Sequence, residues 1–147
     1  MNLKRMVKKK DKGFSFIETI IAITIILILS ATVGFTAIRY IERARIASCR
    51  NQFDIFKLAL QSYYLDCGMF PTEAQGLQAL WEPPILAPVP SNWDGPYIDR
   101  QVPKDPWGND YVYRKPGEHN LPFSIMSFGP TGRPGGEGRN ASLFSWD

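Results

Sequence analysis

The polar and apolar positions divide the chain sharply at Gly13. Residues 1–13 are mostly charged, whereas from Phe14 to Ile38 nearly every side chain is aliphatic, aromatic, small or hydroxyl-bearing. No ionisable side chain occurs between Thr19 and Ile38, a run long enough for a helix to cross a hydrocarbon core of ~30 Å. One acid, Glu18, stands at the edge of the run. A carboxylate at mid-bilayer costs ~2.5–3.5 kcal/mol, so an intramembrane acid points to function, while one at the membrane face reaches headgroups cheaply. Position alone leaves both readings open.

Beyond Arg39 the pattern becomes amphipathic. Ile46, Cys49, Phe53, Phe56, Leu60, Tyr63 and Cys67 recur alternately three and four apart, which is one stripe of a helix. Arg45, Arg50, Asp54, Lys57 and Gln61 fill the opposite side. No proline interrupts residues 14–66, so the spacing predicts one helix of ~53 residues, ~80 Å long at 1.5 Å per residue. Cys49 and Cys67 would then lie ~27 Å apart, too far to bond within one chain. Both read as small buried thiols.

Gly68 and Pro71 end this helix. Residues 72–81 open on Thr72, which can cap, and predict a short helix carrying Leu77, Leu80 and Trp81. The proline-rich stretch 82–95 reads as an extended surface loop, and Asp105-Pro106-Trp107-Gly108-Asn109 as a turn. Strands are predicted at 111–114 and 123–128, separated by a loop at Pro116-Gly117. The glycine-rich tail reads as irregular. The predicted architecture is α+β, a long N-terminal helix packed on a small antiparallel sheet.

Charge changes this picture at one end. The chain has 147 residues and a formal charge of +3, enough for one membrane segment and one domain of ~100 residues. Residues 1–13 alone carry Lys4, Arg5, Lys8, Lys9, Lys10 and Lys12 against Asp11, so the remainder is net acidic. A basic stub before an apolar span sets orientation, stub inside and remainder exported, and gives no support to a nucleic-acid partner. The span is too long for an ordinary secretory h-region and lacks a small-x-small cleavage site, so it reads as a signal-anchor.

Candidate chemistry is sparse. His119 is the single histidine, and no HExxH, CxxC, GxSxG or GxxxxGK[ST] pattern occurs. Cys67 sits in an apolar stripe with no activating neighbour in sequence, which weighs against pairing it with His119 as a nucleophile. The tail offers Thr131, Glu137, Asn140 and Ser142 as oxygen donors to a hard cation. Only Glu137 among them is charged, while Arg133 and Arg139 are positive, and that balance favours an ordered loop without metal.

Several motifs in order carry a resemblance. Lys12-Gly13-Phe14-Ser15-Phe16-Ile17-Glu18 resembles the class III signal of type IV pilins and pseudopilins. Phe70-Pro71-Thr72, Gln75-Gly76-Leu77, the segment from Val102 to Tyr111 containing DPWGN, Pro116-Gly117-Glu118-His119 and Gly135-Gly136-Glu137-Gly138 follow downstream. Together they resemble the major (G-type) pseudopilin family of type II secretion systems, within the type IV pilin-like superfamily. The resemblance runs from Gly13 almost to the C-terminus.

The resemblance implies a cytoplasmic prepilin leader at 1–13, a transmembrane and filament-core helix at 14–38, and a periplasmic globular domain at 39–147 that includes the second half of the helix. Prepilin peptidase would cut between Gly13 and Phe14, and Phe14 would become an N-methylated N-terminus. Glu18, then the fifth residue, would support assembly by pairing with a neighbour's N-terminal amine. Implied partners are further copies of the chain in a homopolymer, minor pseudopilins, the peptidase, an inner-membrane assembly platform and, before assembly, the membrane. The subunit would be no enzyme. It would polymerise into a periplasmic pseudopilus that drives folded proteins across the outer membrane.

A major pilin of a type IV pilus or competence pseudopilus is the alternative, and a bitopic membrane enzyme or binding protein a third reading. DPWGN and GGEG favour the first. The family's usual anchor-helix proline is replaced at Phe35, beside Gly34, and a usually polar position holds Cys67. The family also binds calcium in the C-terminal loop through acidic residues, at positions corresponding to Thr131, Asn140 and Ser142. All three are uncharged, which predicts weak or absent calcium binding and a loop held by Leu143, Phe144 and Trp146.

Overall fold

The computed structural model describes residues 13–147; residues 1–12, most of the predicted leader, lie outside the described residues, as do the side chains at 32, 35 and 36. One helix, α1 (Phe16–Cys67, 52 residues), dominates the chain. It starts two residues later than the sequence pattern predicts and runs through Gly34 without a break. It stops where Gly68 donates its N–H to the Tyr64 carbonyl at 2.8 Å, closing the last turn. The chain divides into two units, Met1–Ile41 and Glu42–Asp147.

In the first unit every described side chain is exposed. Phe16 is 81% exposed, Ile26 61% and Leu27 64%, so between Thr19 and Ile38 the helical surface is apolar and none of its described side chains is buried. Among the described residues no helix is long and apolar enough to cross a membrane.

In the second unit the α1 stripe is the core. Cys49, Phe56, Leu60 and Tyr63 are fully buried and Phe53 nearly so, while Ile46 and Cys67 at the two ends are half-buried. Tyr111 sets its ring edge-on to Phe53 and Phe56, with centroids 5.8 and 5.2 Å away. Tyr97 does the same to Tyr63 at 5.5 Å. Both cysteines are free.

Three short strands, β1 (Val112–Arg114), β2 (Ser124–Ser127) and β3 (Leu143–Phe144), form an antiparallel sheet in the order β1-β2-β3. The register pairs Tyr113 with Ile125 and Met126 with Phe144. Central β2 is buried along its whole length. The sequence pattern locates β1 and β2 within its predicted segments but not β3. A two-residue strand has no periodicity to read, and β3 exists because β2 needs a second partner: Ser145 donates its N–H to Ile125 O at 2.9 Å and accepts from Ile125 N–H through Oγ at 3.1 Å.

The short helix predicted at 72–81 is present only in part, as a 3-10 helix. Residues 73–76 are turns, followed by a 3-10 segment, Leu77–Leu80. The cap itself is present and reciprocal: Thr72 Oγ1 accepts from Gln75 N–H at 3.2 Å, and Gln75 Oε1 accepts from Thr72 N–H at 2.8 Å. Gly76 then takes φ 62° and ψ −165°, which no α-helix accommodates and which a side chain would strain.

Asp105 joins the DPWGN turn to the sheet. The residue is 4% exposed. Its Oδ1 accepts from the N–H groups of Trp107 (3.0 Å) and Asn109 (2.7 Å), and its Oδ2 from the Ser127 hydroxyl at 2.6 Å. Asn109 Nδ2 donates to Gly129 O at 2.8 Å. Asp105→Ala leaves these three donors without their acceptor, and we expect a loss of about 3 kcal/mol. All four tryptophans lie beyond residue 80, so fluorescence-monitored denaturation of the chain reads the second unit alone. A loss under about 1 kcal/mol, within reach of an ordinary neutral hydrogen bond, would show the carboxylate to be dispensable.

Candidate functional site: the start of the long helix and the C-terminal loop

Gly13, Phe14 and Ser15 precede α1 and have no regular structure. The first turn is closed by Thr19, which donates its N–H to Ser15 O at 3.1 Å and its hydroxyl to the same oxygen at 3.3 Å. The Gly13–Phe14 bond therefore lies outside the helical hydrogen-bond ladder. Phe14 is 80% exposed, and space around Gly13 is open. Such a bond can be drawn into an extended protease cleft without melting a helix. Glu18 lies in the first turn of α1 and is exposed. The unpaired N–H groups of a helix start favour a carboxylate there.

The C-terminal loop is closed by its own hydrogen bonds. The Thr131 hydroxyl lies 3.2 Å from both Phe128 O and Arg133 O and accepts from Arg133 N–H at 3.3 Å. Ser142 Oγ donates to Gly135 O at 3.0 Å. Asn140 ends a 3-10 turn, Gly138–Asn140, with its N–H on Glu137 O at 3.1 Å. Gly136 has φ +97°, and a Cβ there would meet Asn140 O at 2.0 Å, so the GGEG motif is a site where only glycine lets two strands of the loop touch. Leu143 packs on the core, Phe144 stacks on Trp146 (4.7 Å) and His119 sets its ring edge-on to Trp146 (5.1 Å).

Two of the three loop positions predicted from family resemblance, Thr131 and Ser142, thus have hydroxyls already engaged within the loop, and the third, Asn140, adds a neutral amide beside the carboxylate of Glu137. Among the described residues no group of three or more His, Cys, Asp or Glu side chains could hold a metal ion. This donor set does not fit a calcium ion, which gathers six to eight oxygens and usually several carboxylates.

Neither thiol is placed as a nucleophile. Burial pushes the Cys49 thiol up, opposite to the shift that activates cysteine. Cys67 is pushed up by burial as well; its polar neighbour is the Tyr97 hydroxyl at 4.0 Å. His119 meets Trp146, not Cys67. Three surface grooves of about 250–350 Å³ contain Gln75, Gln78 and Glu82; Asp99 and Arg100; and Lys57 and Gln61. None joins a nucleophile to a general base.

Comparison with known proteins decides the family. The model of the type II secretion system (T2SS) protein G family matches residues 36–146, most of the chain. The chain belongs to this family. The prokaryotic N-terminal methylation motif matches residues 8–34 and so contains Gly13, Phe14 and Glu18. Type II secretion system core protein G of Pseudomonas aeruginosa is 33% identical over 142 residues, covering 97% of this chain and 99% of that protein. The Vibrio cholerae core protein G is 36% identical over 146 residues, 99% and 97% of the two chains. The crystal structure of the major pseudopilin from the type 2 secretion system of enterohaemorrhagic Escherichia coli superposes with TM-score 0.62 at 36% identity, over 71% of this chain and 88% of that one.

As a protein G family member, the chain has the pilin-like architecture of a structural pseudopilin subunit. Two polar centres of its globular unit escape a reading from sequence. DPWGN announces a turn, but nothing in it announces that Asp105 reaches Ser127. Thr72 and Gln75 announce a cap, but not that Gln75 Nε2 also binds the carbonyls of Leu86 (2.6 Å) and Pro88 (2.9 Å).

Proposed function

We propose that the chain is the polymerising subunit of a periplasmic pseudopilus in a type II secretion system, held in the inner membrane before assembly. The observation that carries the reading is the apolar half of α1, exposed on every described side chain, in a member of the protein G family. Each large aliphatic side chain gains ~1.5–3 kcal/mol on leaving water, so this half must lie in lipid or against other helices. The first environment is the anchored precursor and the second is the filament core. The basic stub stays cytoplasmic, one span crosses the bilayer, and the globular unit is exported.

Glu18 supplies register. A carboxylate and an ammonium buried separately in a helix bundle are each costly, and stacking subunits so that they meet removes both penalties at once. The amine is created when prepilin peptidase cuts between Gly13 and Phe14; methylation keeps it cationic. Copies of the chain, minor pseudopilins and an inner-membrane assembly platform are the partners of this cycle. The subunit carries force and performs no chemistry. The C-terminal loop works without calcium, held by its internal hydrogen bonds and by Leu143, Phe144 and Trp146.

Processing and assembly are tested together. Intact-mass analysis of the membrane protein should show a chain beginning at N-methylated Phe14; a retained Met1 would sink the processing step. Glu18→Ala should insert and be cleaved normally, yet give no cross-linkable filaments, and normal filaments from that variant would remove Glu18 from the mechanism.

Calcium is tested by heating the protein with and without chelator. The midpoint should stay within a degree or two. A site saturated a hundredfold above its Kd adds about 2.7 kcal/mol, so its loss would lower the midpoint by about 10 °C or more and refute the calcium-free loop.

A further inference from the structure

A run of cations stands where the apolar half of α1 ends. Arg39, Arg43, Arg45 and Arg50 follow the uncharged stretch that closes at Ile38, against one acid, Glu42. Glu42 is already taken, with Oε2 3.9 Å from Arg45. Arg39, Arg43 and Arg50 are exposed, and among the described residues none of their guanidinium groups has a carboxylate partner. The packing of the globular unit does not use these three side chains. Their place in the sequence also opposes the orientation of the chain, because basic residues just beyond a span weaken the positive-inside signal. The six basic residues before Gly13 outnumber them, but a cut after Gly13 removes those six and leaves the arginines as the basic flank of the span.

Depth identifies what they meet. The uncharged run from Thr19 to Ile38 has 20 residues, about 30 Å of helix and the thickness of a hydrocarbon core. Counted along α1, Arg39 falls at the edge of that core and Arg43 about 6 Å further out, within a headgroup layer that adds about 5–7 Å on each side. The anions at that depth are phosphodiesters, and a guanidinium offers a phosphate two parallel N–H donors. A zwitterionic headgroup carries an ammonium beside its phosphate, so an anionic lipid is the better ligand. Arg50 lies about 10 Å beyond Arg43 and adds only screened attraction.

We propose that Arg39 and Arg43 each bind the phosphate of an anionic phospholipid in the exported-side leaflet of the membrane that holds the precursor. The proposal rests on the membrane-anchored state described above. Each contact is separate, and taking the subunit out of the bilayer breaks both. They therefore hold the anchored state until assembly draws the helix out.

Full-length chain in nanodiscs of equal parts phosphatidylcholine and phosphatidylglycerol, released and weighed by native mass spectrometry, tests the contact. The wild-type chain should retain phosphatidylglycerol in preference to phosphatidylcholine. Arg39→Gln with Arg43→Gln should lower that preference several-fold; glutamine forms helix about as well as arginine, so α1 is kept. Arg39→Lys with Arg43→Lys should retain most of the preference, and Arg114→Gln, at an exposed position on β1, all of it. The basic residues before Gly13 contribute equally to every chain compared. An unchanged preference in the double glutamine variant overturns the proposal and leaves the arginines to an acidic protein surface. An equal loss in Arg114→Gln overturns it too. Phosphate buffer should weaken retention no more than chloride of the same ionic strength; a greater loss would mark a free-anion site and end the assignment to lipid. A chain that never enters the nanodisc refutes the anchored precursor and the lipid contact with it, an outcome distinct from an inserted chain without lipid preference.

Discussion

The globular unit depends on one buried carboxylate. Asp105 converts three otherwise independent pieces into one: the DPWGN turn through two backbone N–H groups, the central strand through Ser127, and, by fixing Asn109, the start of the C-terminal loop at Gly129. A carboxylate hidden from water is tolerated because its acceptor sites meet good donors. Ser127 is a second hinge of the same device, since its oxygen also accepts from Gly129 N–H at 3.1 Å. Strand β2, the middle strand of the sheet, is thereby pinned at the end where the tail departs. The tail has just two strand residues of its own, and its path follows from that anchoring more than from local preference.

A different constraint governs α1. One continuous helix serves two solvents, and its sequence records both. In the globular unit the stripe from Cys49 to Tyr63 is buried while Arg50, Asp54 and Gln61 face water. In the first unit no side is polar enough to face water, and none of the described side chains is covered. A helix of this composition is stable only where something outside the chain covers it, so the molecule is built as an incomplete object whose completion is supplied by lipid and then by its own copies. Glu18 is the one ionisable side chain between Phe14 and Ile38; in the proposed filament a wrong register would strand it in a low-dielectric core.

Local signals told most where physics is local. The α1 stripe, its stop near Gly68, the Thr72 cap and the positions of β1 and β2 follow from periodicity, capping and turn chemistry within a few residues. The failures are all long-range. Gly76, at φ 62°, confines the helix predicted at 72–81 to a 3-10 segment, Leu77–Leu80, while Gln75 just before it reaches Leu86 and Pro88. Strand β3 is specified by hydrogen bonds between Ser145 and Ile125, 20 residues apart in sequence. The candidate site divides the same way: Gly13, Phe14 and Glu18 are legible as a contiguous motif, whereas the state of Thr131, Asn140 and Ser142 depends on which loop carbonyls their side chains and backbones meet.

The C-terminal loop shows how a glycine-rich segment can hold its shape through its own hydrogen bonds. A divalent ion would organise a glycine-rich loop by collecting oxygens from several turns. Here the same turns are tied individually: Thr131 to Phe128 and Arg133, Ser142 to Gly135, Asn140 to Glu137, with Phe144 and Trp146 stacked beneath. Each tie is a neutral hydrogen bond of about 1 kcal/mol net, weaker than a metal bond but requiring no cluster of like charges. Arg133 and Arg139 fit this arrangement, since neither disturbs a loop tied by neutral hydrogen bonds, whereas both would oppose a cation. The neutral side chains of Thr131, Asn140 and Ser142 and the positive ones of Arg133 and Arg139 are thus compatible with one physical arrangement, a loop stabilised from within.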